Sequence, residues 1–257
     1  MDKILGCLYG VITGDALGTT YEFRKSSTIK LPKKLNIVGR GPFKVAKGQV
    51  TDDSEMTIAL FKSIKKKKKY DKEDVAKAYI RWIQSDPKDS GITTRNALLN
   101  AKNYKDTIKN AKKYNQKSLS NGFLMRIAPL AIEGLRDNKN LDKHIKEEVE
   151  ITHPHILCYH TARLYVRILI YLMLEGSNKG IEKESLRIID EEKFEEDNIL
   201  KSLVKKSKKS PYYMGKGSYE IDGRYMGFMF VSLQIAFYEL YNAESYESGM
   251  RRTIEYG

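Results

Sequence analysis

Apolar residues recur three and four positions apart through most of this chain, and no run alternates apolar with polar long enough to read as a strand. The stripe is plain in Met56, Ala59, Leu60 and Ile64, and it returns in Val75, Ala78, Tyr79 and Trp82. Residues 3–18, 93–102, 123–134, 143–152, 154–176, 183–189, 196–205 and 224–241 read as further helices, and residues 245–257 start another. Residues 103–118 are polar and lysine-rich. Residues 24–49, with Pro32, Gly39, Gly41, Pro42 and Gly48, form a long irregular connection, a kind of segment that is usually functional or disordered. The pattern predicts one all-α domain over residues 1–257.

The first helix has an unusual face. Gly6, Gly10, Gly14 and Gly18 recur every four residues. Each glycine costs a helix about 1 kcal/mol relative to alanine. Four in register predict that another backbone comes very close here.

Lysine and arginine exceed aspartate and glutamate, for a formal charge of +13. Such a charge attracts polyanions. The lysines nevertheless stand mostly in short runs between apolar segments, as a solvated surface would have them. Cys7 and Cys158 sit in apolar stretches and imply no disulfide framework, which fits a reducing compartment. The N-terminus lacks a basic segment and a small-residue cleavage site, so no signal peptide is expected. The longest apolar stretch, residues 156–174, contains His160, Arg163 and Arg167, which argue against a membrane span. A cytoplasmic protein is expected.

Chemistry concentrates in a few places. In Gly48-Gln-Val-Thr-Asp-Asp-Ser-Glu-Met56, a hydroxyl and two carboxylates (Thr51, Asp52, Asp53) stand where a helix begins. Magnesium and calcium prefer such oxygen ligands. A capped, acidic first helical turn would use the same residues. Glu22 lies between Tyr21 and Phe23, where a desolvated carboxylate could move protons, or where a surface glutamate could pair with Arg24 or Lys25. Ser120-Asn-Gly-Phe-Leu-Met-Arg126 reads as a polar turn opening an apolar helix, whose N–H groups could meet phosphate. Asn121 and Gly122 permit close approach, Phe123 could stack on a base or ribose, and Arg126 could neutralise phosphate. An ordinary capped helix is the alternative. His153, His155, Cys158 and His160 cluster, but no second ligand pair completes a zinc site, and a histidine lining a polar pocket beside a buried Cys158 fits better. The lysine-rich residues 201–216, with Tyr212, Tyr213 and Tyr219, have the mixture that nucleic-acid grooves use, without a nucleic-acid-binding motif.

Four segments in order carry a resemblance. Gly14-Asp-Ala-Leu-Gly18 followed by Glu22, Thr51-Asp-Asp-Ser-Glu-Met56, Ser120-Asn-Gly-Phe-Leu-Met-Arg-Ile-Ala-Pro129 and Thr152-His-Pro-His155 resemble the ADP-ribosylglycohydrolase family, of the dinitrogenase-reductase-activating and ADP-ribosylarginine hydrolase type. The likeness runs from residue 4 to about 175, and more weakly through 224–241. It implies a compact, orthogonally packed all-α domain with a cleft holding two magnesium ions. It implies magnesium-dependent hydrolysis of an ADP-ribosyl N- or O-glycosidic bond, on an ADP-ribosylated protein or a small molecule containing ADP-ribose. By the same resemblance, Thr51, Asp52 and Asp53 bind metal, and Asp52, Asp53 and Glu22 serve the reaction. Ser120, Asn121, Gly122, Phe123, Met125, Arg126 and His153 meet the substrate. The family's second metal motif, Gly-Gly-Asp-x-Asp-Thr, has no match within residues 1–257, although residues 249–257 look like its lead-in and Asp222 is a possible stand-in. That departure leaves two other expectations in play: an ADP-ribose-binding module without turnover, and a basic nucleic-acid-binding protein.

Overall fold

The apolar stripes become helices in the computed structural model, which describes residues 2–191, 197–212, 214–215, 217–218 and 225–256. In chain order they are α1 (Asp2–Gly18), α2 (Asp52–Lys67), α3 (Lys72–Gln84), α4 (Ile92–Leu98), α5 (Tyr104–Tyr114) and α6 (Pro129–Gly134). There follow α7 (Leu141–Glu150), α8 (Ile156–Glu175), α9 (Ile181–Glu191), α10 (Asp197–Lys206), α11 (Met229–Asn242) and α12 (Tyr246–Glu255). A two-stranded antiparallel ribbon, β1 (Met214–Gly215) with β2 (Gly217–Ser218), and a single antiparallel bridge between Arg40 and Val45 are the paired extended chain among the described residues. The expected all-α class therefore holds. Tyr213, Lys216, Tyr219 and Asp222, singled out above, lie outside the described residues.

Local chemistry sets the boundaries. Asp71 caps α3 by accepting the Asp74 N–H at 3.0 Å. A reciprocal capping box of Ser245 and Ser248 opens α12. Residues 103–118 are polar and lysine-rich, yet most of them form α5. Asn103 caps it, accepting the Asp106 N–H at 3.0 Å, and the helix buries a narrow face of small side chains, Thr107 and Ala111. A stripe that narrow, without large aliphatics, is hidden among lysines.

Two expectations need correction. Residues 123–128 are not helical, and the helix starts only at Pro129, which has no N–H to donate into a preceding turn. At Gly6, Gly14 and Gly18 of the α1 stripe no backbone comes close among the described residues. A Cβ at Gly6 or Gly18 would meet nothing within 4 Å among the described residues, and at Gly14 it would meet the side chains of Tyr246 and Met250. The close backbone approach is made in the irregular connection instead. Gly41, at φ 58°, lies where a Cβ would fall 1.9 Å from the Thr19 carbonyl oxygen, and Thr20 Oγ1 donates to the Gly39 carbonyl at 2.9 Å.

The chain divides into two compact units: Met1–Ile12 with Thr51–Gly176, and Thr13–Val50 with Ser177–Gly257. In the first, α2 packs on α3 and α6, α4 packs on α5, and α8 packs on α6 and α7. Its α8 is long and apolar enough to cross a bilayer, with mean hydropathy 1.2, but it is built as a core helix. It buries His160, Thr161 and Arg163, and Asp142 of α7 takes hydrogen bonds from Arg163 Nε at 3.1 Å and Arg167 NH2 at 2.8 Å. In the second unit, α10 packs on α9 and α11, and α11 packs on α12. Arg251 of α12 fastens the irregular connection, donating to the carbonyls of Pro32 at 3.0 Å and Lys33 at 2.9 Å.

Candidate active site

The site in the first unit begins where α2 begins. Thr51 has extended backbone at the N-cap, and Asp52 and Asp53 occupy the first turn, where the helix dipole favours anions. Thr51 and Asp52 are buried, at 3% and 5% exposure, and Asp53 is half-buried. The Thr51 side chain makes no cap hydrogen bond to the helix, so capping does not account for its hydroxyl. The set of one hydroxyl and two carboxylates is chemically matched to a hard cation. Three donors are fewer than the six such an ion takes, and no group of three or more His, Cys, Asp or Glu gathers among the described residues. These residues fit as one part of a metal site.

The first turns of α2 are tied to the segment at residues 120–126. Thr57 Oγ1 contacts two carbonyl oxygens, that of Asp53 at 2.7 Å and that of Met125 at 3.2 Å. The turn itself is closed by the Asn121 carbonyl, which accepts from the N–H groups of Leu124 at 2.8 Å and Met125 at 3.3 Å. Gly122 is needed here for space, since a Cβ would come within 3.3 Å of His153 Cε1 and 3.4 Å of Thr94 Oγ1. Ser120, Asn121, Gly122 and Met125 are half-buried and Phe123 is fully buried, edge-on to the His153 ring at 5.1 Å.

Arg126 overturns the simple picture of a cation waiting for phosphate. It is wholly buried. Its Nε donates to Glu148 Oε1 at 2.7 Å, NH1 donates to the Gly122 carbonyl at 3.1 Å and NH2 donates to Thr152 Oγ1 at 2.9 Å. Its guanidinium also lies 4.9 Å from the centroid of the Tyr79 ring, whose hydroxyl donates to Glu148 Oε1 at 2.9 Å. Phe123 is likewise packed, not offered to a base. The sequence window marked both residues by type, but burial is a tertiary property that neighbouring residues do not reveal.

His153 is the hub of the same network. Its Nε2 lies 2.8 Å from Ser120 Oγ and its Nδ1 2.7 Å from Thr152 Oγ1. Burial, and then the Arg126 charge, hold its pKa well below the ordinary histidine range. Asn115 anchors the network by donating to the carbonyls of Thr93 at 2.8 Å and Thr152 at 3.0 Å. A buried amide in a polar stretch gives no sequence signal. The other members of the His/Cys cluster part company. His155 caps α8, accepting the Leu157 N–H at 3.2 Å. Cys158 donates to the Ser118 carbonyl at 3.5 Å, and burial pushes its thiol pKa up.

Glu22 belongs to the second unit. It is half-buried in the turn closing α1, where its N–H donates to the Gly18 carbonyl at 3.0 Å. Tyr21 beside it is buried, whereas Phe23 is 59% exposed and meets Phe43 edge-on at 5.9 Å. The aromatic enclosure expected from sequence is thus one-sided.

The sequence model of the ADP-ribosylglycohydrolase family matches residues 1–257. An ADP-ribosyl glycohydrolase by name, L543 of Acanthamoeba polyphaga mimivirus, is 33% identical over 183 residues, 66% of this chain and 55% of its own. The ADP-ribosyl-(dinitrogen reductase) glycohydrolase of Rhodospirillum rubrum is 29% identical over 190 residues, 73% of this chain and 64% of its own. This chain therefore matches between half and two thirds of the length of these relatives. A solved chain titled as an ADP-ribosylglycohydrolase-related protein complex superposes with a TM-score of 0.76 at 21% identity, covering 100% of this chain and 81% of its own, which shows a shared fold.

Proposed function

The chain belongs to the ADP-ribosylglycohydrolase family, and we propose that residues 1–257 act as one domain that hydrolyses the glycosidic bond joining ADP-ribose to a protein side chain or a small molecule. The observation that carries this reading is the link through Thr57. It ties α2, which opens on the Thr51–Asp52–Asp53 triplet, to Met125, which follows the turn at residues 120–122, within one unit.

In this reading Thr51, Asp52 and Asp53 hold magnesium. When bound, the ion supplies orientation of the ribose diol and a lowered pKa for a water molecule. The chain's own residues do the rest. The half-buried Ser120, Asn121 and Gly122 bind the diphosphate and distal ribose. Phe123 and Arg126 support that turn from behind, and Met125 holds it to α2. The Asp52 and Asp53 carboxylates oppose the positive charge that develops on the sugar as the bond breaks. Glu22 transfers the proton, a part assigned by the motif in which it stands. His153 stays neutral and positions Ser120. Cys7 and Cys158 form no disulfide among the described residues, and a cytoplasmic setting suits them.

The test is release of ADP-ribose from an arginine-linked and a serine-linked substrate, with and without magnesium. Asp52→Ala should lower kcat by about 10²- to 10³-fold, the range for removing one preorganised charge stabiliser. Glu22→Gln should lower kcat with little change in KM. Release that continues undiminished under a chelator would sink the mechanism. The small donor set at α2 favours one second reading, a module that binds ADP-ribose without turnover. Calorimetric binding with no release from either substrate would select it.

A further inference from the structure

We propose that Arg126 and Thr152 are positioning residues that fix His153 as its Nε2–H tautomer and so turn the Ser120 hydroxyl proton toward the ligand side of the turn at residues 120–122. The inference rests on the reading that this turn meets ADP-ribose.

The order of donors can be followed from the inside out. Arg126 can only donate, and its NH2 gives a hydrogen bond to Thr152 Oγ1 at 2.9 Å. Thr152 is completely buried, and its hydroxyl carries a single proton. The one other partner of that oxygen among the described residues is His153 Nδ1, at 2.7 Å. If Nδ1 bore a proton, the Thr152 proton would be shut inside the protein with no acceptor, at a cost of about 1–3 kcal/mol. Nδ1 is therefore the acceptor. The ring is neutral, because burial and the adjacent guanidinium both oppose a second proton. A neutral ring with a bare Nδ1 carries its proton on Nε2.

Nε2–H then donates to Ser120 Oγ at 2.8 Å. Ser120 uses its oxygen to accept from His153 and from the Ser118 hydroxyl at 3.3 Å, so its own proton is left for Thr93 Oγ1, 3.2 Å away, or for an oxygen of a ligand. Ser120 is the half-buried end of the chain. Every hydrogen bond from Arg126 to Ser120 points the same way. A guanidinium buried too deeply to touch a phosphate thus delivers donor polarity to the turn through two side chains. It also holds the turn's backbone, through NH1 to the Gly122 carbonyl at 3.1 Å. This explains a feature that stability alone does not, since a fully buried Arg126–Glu148 ion pair gains little over an apolar pair of similar volume.

The full chain, labelled with ¹⁵N-histidine, reports the tautomer directly in long-range ¹H–¹⁵N spectra, and calorimetry with ADP-ribose reports the consequence. The wild type should show Nε2–H. Thr152→Val, which keeps shape and removes the hydroxyl, takes away the donor that holds Nδ1 bare, so His153 should no longer be confined to Nε2–H and ADP-ribose binding should weaken about tenfold, the value of one hydrogen bond. Thr152→Ser should restore both. If Thr152→Val does not fold, Ser120→Ala takes its place and should lose the same affinity while His153 keeps Nε2–H. A wild-type His153 found as Nδ1–H overturns the proposal, as does a tautomer shift in Thr152→Val with affinity unchanged. A wild type with Nε2–H that binds no ADP-ribose overturns the functional reading and the outward turn of Ser120, and leaves the order from Arg126 to His153 standing.

Discussion

Arg126 and Glu148 set the terms at the scale of single residues. Both are fully buried, and Glu148 Oε2 has no hydrogen-bond partner among the described residues. Arg126→Met would leave the carboxylate uncompensated in the interior and should cost about 3–5 kcal/mol of stability, read as a lowered urea midpoint. Pairing it with Glu148→Leu removes the stranded charge, and most of that loss should return. The two variants together separate folding from positioning. A double variant that is stable but has lost ADP-ribose affinity marks the ion pair as kept for the turn it supports. A double variant with full affinity would remove that role from Arg126.

Elements follow from side-chain spacing wherever the buried face is wide, and they escape it where the face is narrow or the chain turns. Among the described residues, eleven of the twelve α-helices lie where apolar spacing puts a helix, although α6 starts only at Pro129. The exception, α5, packs through Thr107 and Ala111, too small to stand out against its lysines. The metal-type triplet and the turn at residues 120–122 were legible as residue types in order. Their mutual placement was not, because the Thr57–Met125 bond spans 68 positions. The glycines of α1 mislead for a related reason: their spacing shows a stripe, not what faces it. The correction makes a paired prediction. Gly6→Ala in an exposed helical position should stabilise by about 1 kcal/mol, the propensity difference. Gly41→Ala places a Cβ against the Thr19 carbonyl at positive φ, and should destabilise by about 3 kcal/mol or more. Thermal unfolding of the two variants decides. A destabilising Gly6→Ala would restore the close-approach reading of the α1 stripe.

Charge acts on the molecule as a whole, and unevenly. At +13 the chain already repels itself, and acid adds positive charge as carboxylates are protonated. Four carboxylates held below their ordinary range belong to the first unit. Asp71 is lowered chiefly by the Asp74 backbone N–H, and Asp74 by its hydrogen bond from Lys66. Asp137 is lowered by Asn140. At Asp142 burial works in the opposite direction, and Arg167 and Arg163 outweigh it. A carboxyl that is more acidic in the folded than in the unfolded chain contributes stability above its unfolded pKa, about 3.9 for aspartate. That contribution is lost as pH falls from there through the folded value. The first unit should therefore loosen first in acid. Hydrogen exchange between pH 5 and pH 3 (about one unit either side of the unfolded pKa) should show α3, α7 and α8 losing protection before α9 to α12. Asp142→Asn should lower stability at neutral pH, where Arg163 and Arg167 lose their anion, and should flatten the acid slope of α7 and α8. If α9 to α12 open first, the depressed carboxylates do not govern acid unfolding, and self-repulsion of the net charge becomes the controlling term.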